Sequence, residues 1–466
     1  MKTVIMAGGR GTRIADYSKE LTGRVLPKPM IPIDGVPVLE WEINSLRNQG
    51  FTKFILTVSY LAEEIMNYFG DGSGISPATG KPFGVEIGYF HEHEPLGNAG
   101  ALYMLRDKLS DAADGSKDFL LLNADSIFDL DFQRLVAYHR TKGAIATLFT
   151  HPNSHPYDSG LIIASADGGV EKWLTKEDVR PEYYKNRVNA GVHVLNVAAL
   201  DKAAEVSGVD VSQIGKVQAD GKIYKVDLDR QILKPLCGRT AAGKYSVYCY
   251  DSPEYVKDMG TPERFEAVAK DFKAGIVQAK NLSHKQKAVF LDRDGTLNKY
   301  VGFLRKTDEL ELLPGVAEAI RRINASGYLA IVITNQPVVA RGEVTFEGLE
   351  EIHCKLETEL GKNGAYIDAL YYCPHHPDKG FAGEVPELKT DCTCRKPKPG
   401  MILQAAKDFN IDLAASWMVG DSEADIACGR NAGVHTALLS QEKADNYGQE
   451  VTVDNLLDFV EEHMEV

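Results

Sequence analysis

Two successive series of short apolar runs, each run followed by a helical pattern, set the strongest limit on how this chain folds. The first series is TVIMA, KFILTVS, GVEIGYF, DFLLLNAD and AIATLFT, interleaved with amphipathic stretches such as VLEWEINSLRNQ and NAGALYMLRDKL. The second is KAVFLDRDGTLN, GYLAIVITNQ, YIDALYYC, SWMVGDS and GVHTALL, again with helical stretches between. Strand and helix in alternation specify strands laid side by side with helices covering both faces. The expected fold class is therefore α/β with two doubly wound domains, and VDNLLDFVEEHMEV supplies a last helix on the second sheet. TPERFEAVAKDF reads as the closing helix of the first series, and the polar AKNLSHKQK after it has little to bury. The expected division is a first domain over 1–275, a linker over 276–286 and a second domain over 287–466.

Composition narrows the partners. Of 466 residues, 52 are basic and 66 acidic, a formal charge of -14. Such a balance argues against nucleic acid or an anionic membrane as partner. Any phosphate bound must meet local positive charge. The opening MKTVIMAGGRG has no apolar stretch long enough for a signal peptide or a span, so a cytoplasmic location is expected. Seven cysteines, an odd number at low density, argue for reduced thiols or a metal over disulfides.

In MAGGRGTRIADYSKELTGRVLPKPM a turn containing Gly8, Gly9 and Gly11 directly follows the first strand, with Arg13 and Lys28 beyond it. Glycines let backbone N–H groups approach phosphate oxygens, and the two cations add charge. The pattern is neither the dinucleotide fingerprint nor the P-loop, and by itself it also fits a plain tight turn. DFLLLNADSIFD then delivers Asp125 at the carboxyl end of an apolar strand, where open α/β sheets bind ligands, and DMGTPERF offers Asp258 before a helix start. Two such carboxylates suit a shared Mg2+ that bridges phosphates.

Taken in order, AGGRGTR, LPKPM, PLGNAGAL, NADSIFD, EKW, NAGVHVL and DMGTPERF resemble the sugar-1-phosphate nucleotidylyltransferases over residues 1 to about 270. The resemblance implies a Rossmann-like domain in which Gly8, Gly9, Gly11, Arg13 and Lys28 hold the phosphates of a nucleoside triphosphate. It places Gly97 by the base, Asp125 and Asp258 on Mg2+, and Glu171, Lys172 and Asn189 on the sugar phosphate. The implied reaction is in-line attack of a sugar 1-phosphate oxygen on the α-phosphorus, with pyrophosphate leaving. The segment IADYSKELTGRVLPKP, which carries Arg24, departs from the family pattern.

In the second half, FLDRDGTLN sets Asp292 and Asp294 at a strand end before a Gly-Thr turn. A lone DxD in a turn is commonly a solvated pair. Three further strand ends add Thr334 and Asn335 in VITNQ, Lys396 in CRKPKPG, and Asp421 with Asp425 in MVGDSEAD. Together these resemble the haloacid dehalogenase superfamily over residues 287–440. The resemblance implies that Asp292 attacks phosphorus, while Asp294 protonates the leaving alcohol and then activates water. It implies Mg2+ among Asp292, the Asp294 carbonyl and Asp421, charge compensation by Lys396 and the Thr334 hydroxyl, and Asp425 as a partner of Lys396. FLDRDGTLN, TNQ…ARG and CPHHP…C-x-C-RKPKPG are similar to the branch containing heptose bisphosphate and histidinol phosphatases. Pro337 and Val338 stand where that branch usually has Ser-Gly.

Cys373, His375, Cys392 and Cys394 have the spacing C-x-H-x16-C-x-C. Four soft ligands with no open position describe a structural, tetrahedral Zn2+ site that stabilises a long irregular loop. His376 is read as a solvated neighbour. The loop ends at Arg395 and Lys396, so the metal would fix where both enter the phosphate site, and Arg395 is the candidate for the far end of the sugar phosphate. Trp41 and Trp417 read as core, His91 and His93 as solvated or hydrogen-bonded, and Cys237, Cys249, Cys354 and Cys428 as inert thiols.

A phosphatase joined to a nucleotidylyltransferase makes sense if a sugar bisphosphate loses its distal phosphate and the remaining 1-phosphate is activated. The resemblances point to D-glycero-D-manno-heptose 1,7-bisphosphate, and to GTP as the nucleotide, on a route to GDP-heptose for lipopolysaccharide or S-layer glycan. The competing readings are a mannose or glucose 1-phosphate transferase fused to a phosphatase of other specificity, histidinol phosphatase included, and a regulatory protein with one inactive half. Small-molecule substrates are the expected partners, Mg2+ serves both domains and Zn2+ the second, and a homo-oligomer stays open.

Overall fold

The structure, a computed structural model, describes residues 1–9, 11–111, 115–442 and 446–464. Arg10 of the glycine-rich turn lies outside the described residues. The chain forms two compact units. The first comprises Met1–Thr150, Ile162–Trp173 and Asn189–Gln278, and the second His151–Leu161, Leu174–Val188 and Ala279–Val466. Two short segments embedded in the first half of the sequence thus pack as part of the second unit.

Four parallel strands centre the first sheet, in the order Asp118–Asn123, Lys2–Met6, Lys53–Val58 and Glu86–His91. Val188–Asn196 then runs antiparallel to Asp118–Asn123, pairing Val192 with Leu122. Alternate side chains serve opposite faces: Phe119 and Leu121 enter one core, Leu120 and Leu122 the other. All four are fully buried, each contributing about 1.5–3 kcal/mol. The helical pattern NAGALYMLRDKL resolves into two short helices, Gly100–Met104 and Arg106–Leu109. The closing helix Pro262–Lys273 starts where the Thr261 hydroxyl accepts the Arg264 N–H, with Pro262 in the first turn.

The second unit has a six-stranded sheet, all parallel, in the order Ala369–Cys373, Tyr328–Asn335, Lys287–Leu291, Trp417–Gly420, His435–Leu439 and Val451–Val453. The earliest strand lies in the middle and the strand order reverses there, so the crevice for a ligand opens beyond Leu291. Val289 and Leu291 enter one core, Ala288 and Phe290 the other. Trp417 packs at the edge of the former core, and Trp41 at the edge of a smaller cluster in the first unit. The last helix spans Leu456–His463.

Candidate active sites

In the first unit the chain leaves Met6 at the carboxyl end of a central strand and turns through the glycines. Gly11 has φ +57, and a Cβ there would come within 3.2 Å of the Lys28 Cβ, so a side chain is strained in conformation and tightly crowded. Gly9 faces open space, and Gly8 lies against Ser59 and Glu92. Pro27 and Pro29 bracket Lys28 on a tight turn, which drives the lysine inward. Its Nζ lies 3.0 Å from Asp125 Oδ2 and 3.0 Å from Asp258 Oδ1. Two residues far apart in sequence are thereby joined by one buried cation. Burial acts to raise the Asp258 carboxyl, but Lys28 and Arg264 outweigh it and hold it below the usual carboxylate range. Arg13 belongs to the same cluster: a Cβ on Gly260 would lie 2.9 Å from its Nη2.

The remaining candidate positions of the first unit sit in different local settings. Gly97 has φ +84, and the Val226 backbone occupies the space a side chain would need. Glu171 accepts a hydrogen bond from the Tyr245 hydroxyl at 3.0 Å, and Lys172, exposed like Glu171, is the next residue of the same strand. Asn189 is the second residue of the antiparallel strand, and its Oδ1 accepts from Gly191 N–H at 3.4 Å. Arg24 pairs with Glu64 at 3.0 Å on the surface. Glu42 was not singled out from the sequence. Fully buried on the helix Val38–Asn48, neither of its carboxylate oxygens is hydrogen-bonded. Burial, then the charge of Asp125, drives its pKa well up. A carboxyl interrupting the apolar face of VLEWEINSL was the trace it left in the sequence.

Asp292 follows the central strand of the second unit. Its Oδ1 lies 2.7 Å from Lys396 Nζ, which also reaches Asp425 Oδ1 at 2.6 Å and donates to the Ile333 carbonyl at 3.0 Å. The ammonium thus stands in ion-pair range of two carboxylates and hydrogen-bonds one carbonyl. Asp425 accepts in addition from the Ser422 N–H and hydroxyl at 3.1 and 2.6 Å. Asn335 clasps the lysine backbone, donating to Lys396 O at 3.1 Å and accepting its N–H at 3.0 Å. Thr334 is buried beside it, its Oγ1 accepting from Gln336 Nε2 at 2.8 Å. Gly295, at φ +87, is where Asp421 crosses the turn: the carboxylate fills the place of a Cβ.

Asp294 is the most fully engaged carboxylate. Arg293 bonds both its oxygens, and Asn298 and Gln336 donate at 3.0 and 2.9 Å. Burial acts to raise its pKa, but these donors, Arg293 foremost, hold it below the usual range. Asp292 goes the other way, pushed up to about 7 by burial and by Asp425 against the pull of Lys396. Asp421 is pushed up to about 6 by burial and Asp425. Arg293, Asn298 and Gln336 all sat inside motifs read for their neighbours.

Ligand oxygens of Asp292, Asp421 and Asp425 lie within 4.8 Å of one another. Among the described residues these four carboxylates pair with two cations, Lys396 and Arg293, an uncompensated negative charge that fits a divalent, oxygen-seeking cation such as Mg2+. Asp292 and Asp421 would hold it, since Lys396 and Ser422 already occupy Asp425.

At the end of the edge strand Ala369–Cys373, Cys373 Sγ lies 3.5 Å from Cys392 Sγ and 3.2 Å from Cys394 Sγ, with His375 Nδ1 3.3 Å from Cys394 Sγ. The thiols are unoxidised, and three sulfurs and one imidazole nitrogen converge on a single point. That donor set fits Zn2+. His376 turns away, its Nδ1 accepting the Asp378 N–H at 3.2 Å. Arg395 donates to the His375 carbonyl at 3.3 Å, so the cluster and the Asn335 clasp fix Lys396 from two sides.

Residues 2–273 match the nucleotidyl transferase family, and residues 393–458 match the HAD-hydrolase-like family. The D-glycero-beta-D-manno-heptose-1,7-bisphosphate 7-phosphatase of Pasteurella multocida is 41% identical over 155 residues, 33% of this chain and 81% of that protein. Among solved structures, the D,D-heptose 1.7-bisphosphate phosphatase from B. bronchiseptica, complexed with magnesium and phosphate, is 32% identical and covers 38% of this chain and 97% of its own, at a TM-score of 0.33. HddC from Yersinia pseudotuberculosis is 20% identical and covers 58% of this chain and 99% of its own, at a TM-score of 0.41. The chain therefore belongs to the nucleotidyl transferase family through residues 2–273 and, through its second half, to the family of the heptose-1,7-bisphosphate 7-phosphatases.

Proposed function

We propose that this chain is a bifunctional enzyme of nucleotide-heptose synthesis. Its second unit removes the 7-phosphate of D-glycero-D-manno-heptose 1,7-bisphosphate, and its first unit transfers a nucleotidyl group to the resulting heptose 1-phosphate. The observation that carries this reading is the presence, on one chain, of the Asp292, Lys396 and Asp421 cluster in a unit 41% identical to a heptose bisphosphate 7-phosphatase, and of the Lys28, Asp125 and Asp258 cluster.

In the phosphatase step Asp292 Oδ attacks phosphorus, the bond to the C7 oxygen breaks, and that oxygen takes a proton from Asp294. Asp294 rests as an anion among its donors, and the arriving phosphate, itself negative, raises its pKa and favours the protonated form the step needs. Asp294 then takes a proton from water, whose oxygen attacks the phosphoaspartate and releases phosphate. Lys396 and the Thr334 hydroxyl balance charge on the phosphoryl oxygens. Bound Mg2+ would supply Lewis acidity to those oxygens and keep Asp292 ionised.

In the transferase step Lys28 and Arg13 balance charge as the sugar phosphate oxygen bonds to the α-phosphorus and pyrophosphate departs. Asp125 and Asp258 would hold Mg2+ there, and Glu171, Lys172 and Asn189 the sugar phosphate. The nucleotide we propose is GTP, from the resemblance of the first half to heptose and mannose 1-phosphate guanylyltransferases. Reduced thiols and nucleoside triphosphate use fit the cytoplasm, with the product destined for surface glycan. No described helix is long and apolar enough to cross a membrane.

The test supplies both anomers of heptose 1,7-bisphosphate with Mg2+, then GTP or ATP, and follows phosphate and pyrophosphate. Phosphate release followed by GTP-dependent pyrophosphate release is expected. No turnover of either anomer would overturn the heptose reading.

A further inference from the structure

Arg293 stands between the two aspartates of the second unit and is bonded to both. Its backbone N–H donates to Asp292 Oδ1 at 2.7 Å, and its carbonyl accepts the Leu297 and Asn298 N–H groups at 2.8 and 3.1 Å. The turn thus fixes the residue through its own main chain. Its side chain then folds back on Asp294: Nε and Nη2 lie 3.1 and 3.0 Å from Oδ1, and Nη2 lies 2.7 Å from Oδ2. A planar guanidinium that meets both oxygens of a carboxylate fixes its rotation as well as its place.

Packing alone does not account for this residue. Arg293 is completely buried, Asp294 is its one ion-pair partner among the described residues, and its Nη1 has no hydrogen-bond partner among them. A buried ion pair commonly contributes no more stability than apolar side chains of the same volume. What the arginine adds is direction. Asp294 keeps 20% of its side chain exposed, three residues past the carboxyl end of the strand Lys287–Leu291. Asn298 and Gln336 complete the hold, and Gln336 Nε2 also donates to the Thr334 hydroxyl at 2.8 Å.

We propose that Arg293 is a positioning residue for proton transfer in the phosphatase, aiming Asp294 at the oxygen that leaves phosphorus. The proposal rests on the reading of Asp292 as nucleophile and Asp294 as acid. As the Asp292 oxygen bonds to phosphorus, the bond from phosphorus to the C7 oxygen breaks, and that oxygen takes the Asp294 proton. Asp292 itself is held by the Arg293 main chain and by Lys396, neither of which the guanidinium supplies. Attack on phosphorus is therefore independent of the Arg293 side chain, and protonation of the leaving oxygen is not. The side chain matters fully for a sugar alcohol, which needs the proton, and little for a nitrophenolate, which leaves without one.

The test uses the full chain with Mg2+ and compares kcat/KM for the heptose bisphosphate and for p-nitrophenyl phosphate. Arg293→Met should lose about a hundredfold on the bisphosphate and no more than about threefold on the aryl phosphate, the selectivity also expected of Asp294→Asn. Arg293→Lys, which keeps the charge without the fork, should recover part of the loss on the bisphosphate. Arg293→Met combined with Asp294→Asn leaves no unpaired buried charge and should be no worse than Asp294→Asn alone. Should Arg293→Met fail to fold, the lysine and double variants decide by the same ratio. Equal loss on both substrates, the mark of a structural role, overturns the proposal, as does a further loss in the double variant. If Asp294→Asn itself shows no selectivity, the acid reading of Asp294 falls and the proposal with it. If Asp294→Asn is selective and the Arg293 variants are not, the proposal alone falls. A wild type that rejects the bisphosphate but hydrolyses another sugar phosphate overturns only the substrate reading, and the comparison is then decided with that sugar.

Discussion

Replacing Asp292, the nucleophile proposed above, by Asn should make the magnesium-free second unit more stable at alkaline pH while abolishing its phosphatase activity. In the folded chain the Asp292 carboxyl is pushed up to about 7, from an unperturbed 3.8, because it is buried beside Asp425 and Lys396 only partly compensates. A folded-state pKa above the unfolded one means that ionisation opposes folding. The penalty is absent below about pH 4, grows as pH rises, and is complete above about pH 7. Three units at about 1.4 kcal/mol each give on the order of 4 kcal/mol at pH 8, and about 1 kcal/mol at pH 4.5. Asn keeps the acceptor facing Lys396 and removes the charge. Hydrogen exchange by mass spectrometry, in magnesium-free buffer with zinc retained, reads each unit separately. Peptides covering Lys287–Leu291 and Trp417–Gly420 should be protected up to about a thousandfold better in Asp292→Asn at pH 8, and about fivefold at pH 4.5. Equal protection of variant and wild type at pH 8, or a gain that does not grow with pH, would refute the electrostatic account.

Gly295→Ala places a methyl where the Asp421 carboxylate lies and demands a left-handed backbone, so phosphate release should fall by more than about a hundredfold with nucleotide transfer unchanged. A variant retaining a tenth of its activity would show that Asp421 has another way to the site. Chelating the Zn2+ proposed for the Cys373, His375, Cys392 and Cys394 cluster and resupplying Mg2+ should weaken the phosphatase, through loss of the fix on Lys396, and spare the transferase; equal loss of both activities would count against that division. Lys28→Met leaves Asp125 and Asp258 without their shared cation and should lower transferase kcat/KM by more than about a hundredfold. Retention of half the activity would remove Lys28 from the phosphate site, and phosphate release serves as the control.

The strands were legible because parallel strands buried on both faces write themselves as continuous apolar runs: DFLLLN and YLAIVITN leave little else to be. The zinc-type cluster was legible for a different reason, since soft ligands at short spacing on either side of a long loop have few other uses. What escaped depends on partners distant in sequence or on residues overshadowed by their neighbours. Arg293 reads as the variable letter between two aspartates, and only its bonds to Asp294 give it a part. Glu42 looks like one of many helix acids until its burial is known. The segment of residues 174–188 carries no legible pattern, because bonds that hold it come from Glu357 and Thr358, 171 and 174 positions away from Asn186 and Tyr184.

That separation bears on the order in which the protein comes off the ribosome. When Asn186 emerges, the glutamate that will receive its N–H lies 171 residues ahead in the message. At synthesis rates of roughly 5–20 residues per second, the interval is about 10–35 seconds. During it residues 174–188 are already made, but the helix that receives Tyr184 and Asn186 is not. Translation of the helix Phe346–Lys362 is then the event that lets these bonds form, and a nascent chain halted before it carries Tyr184 and Asn186 without them.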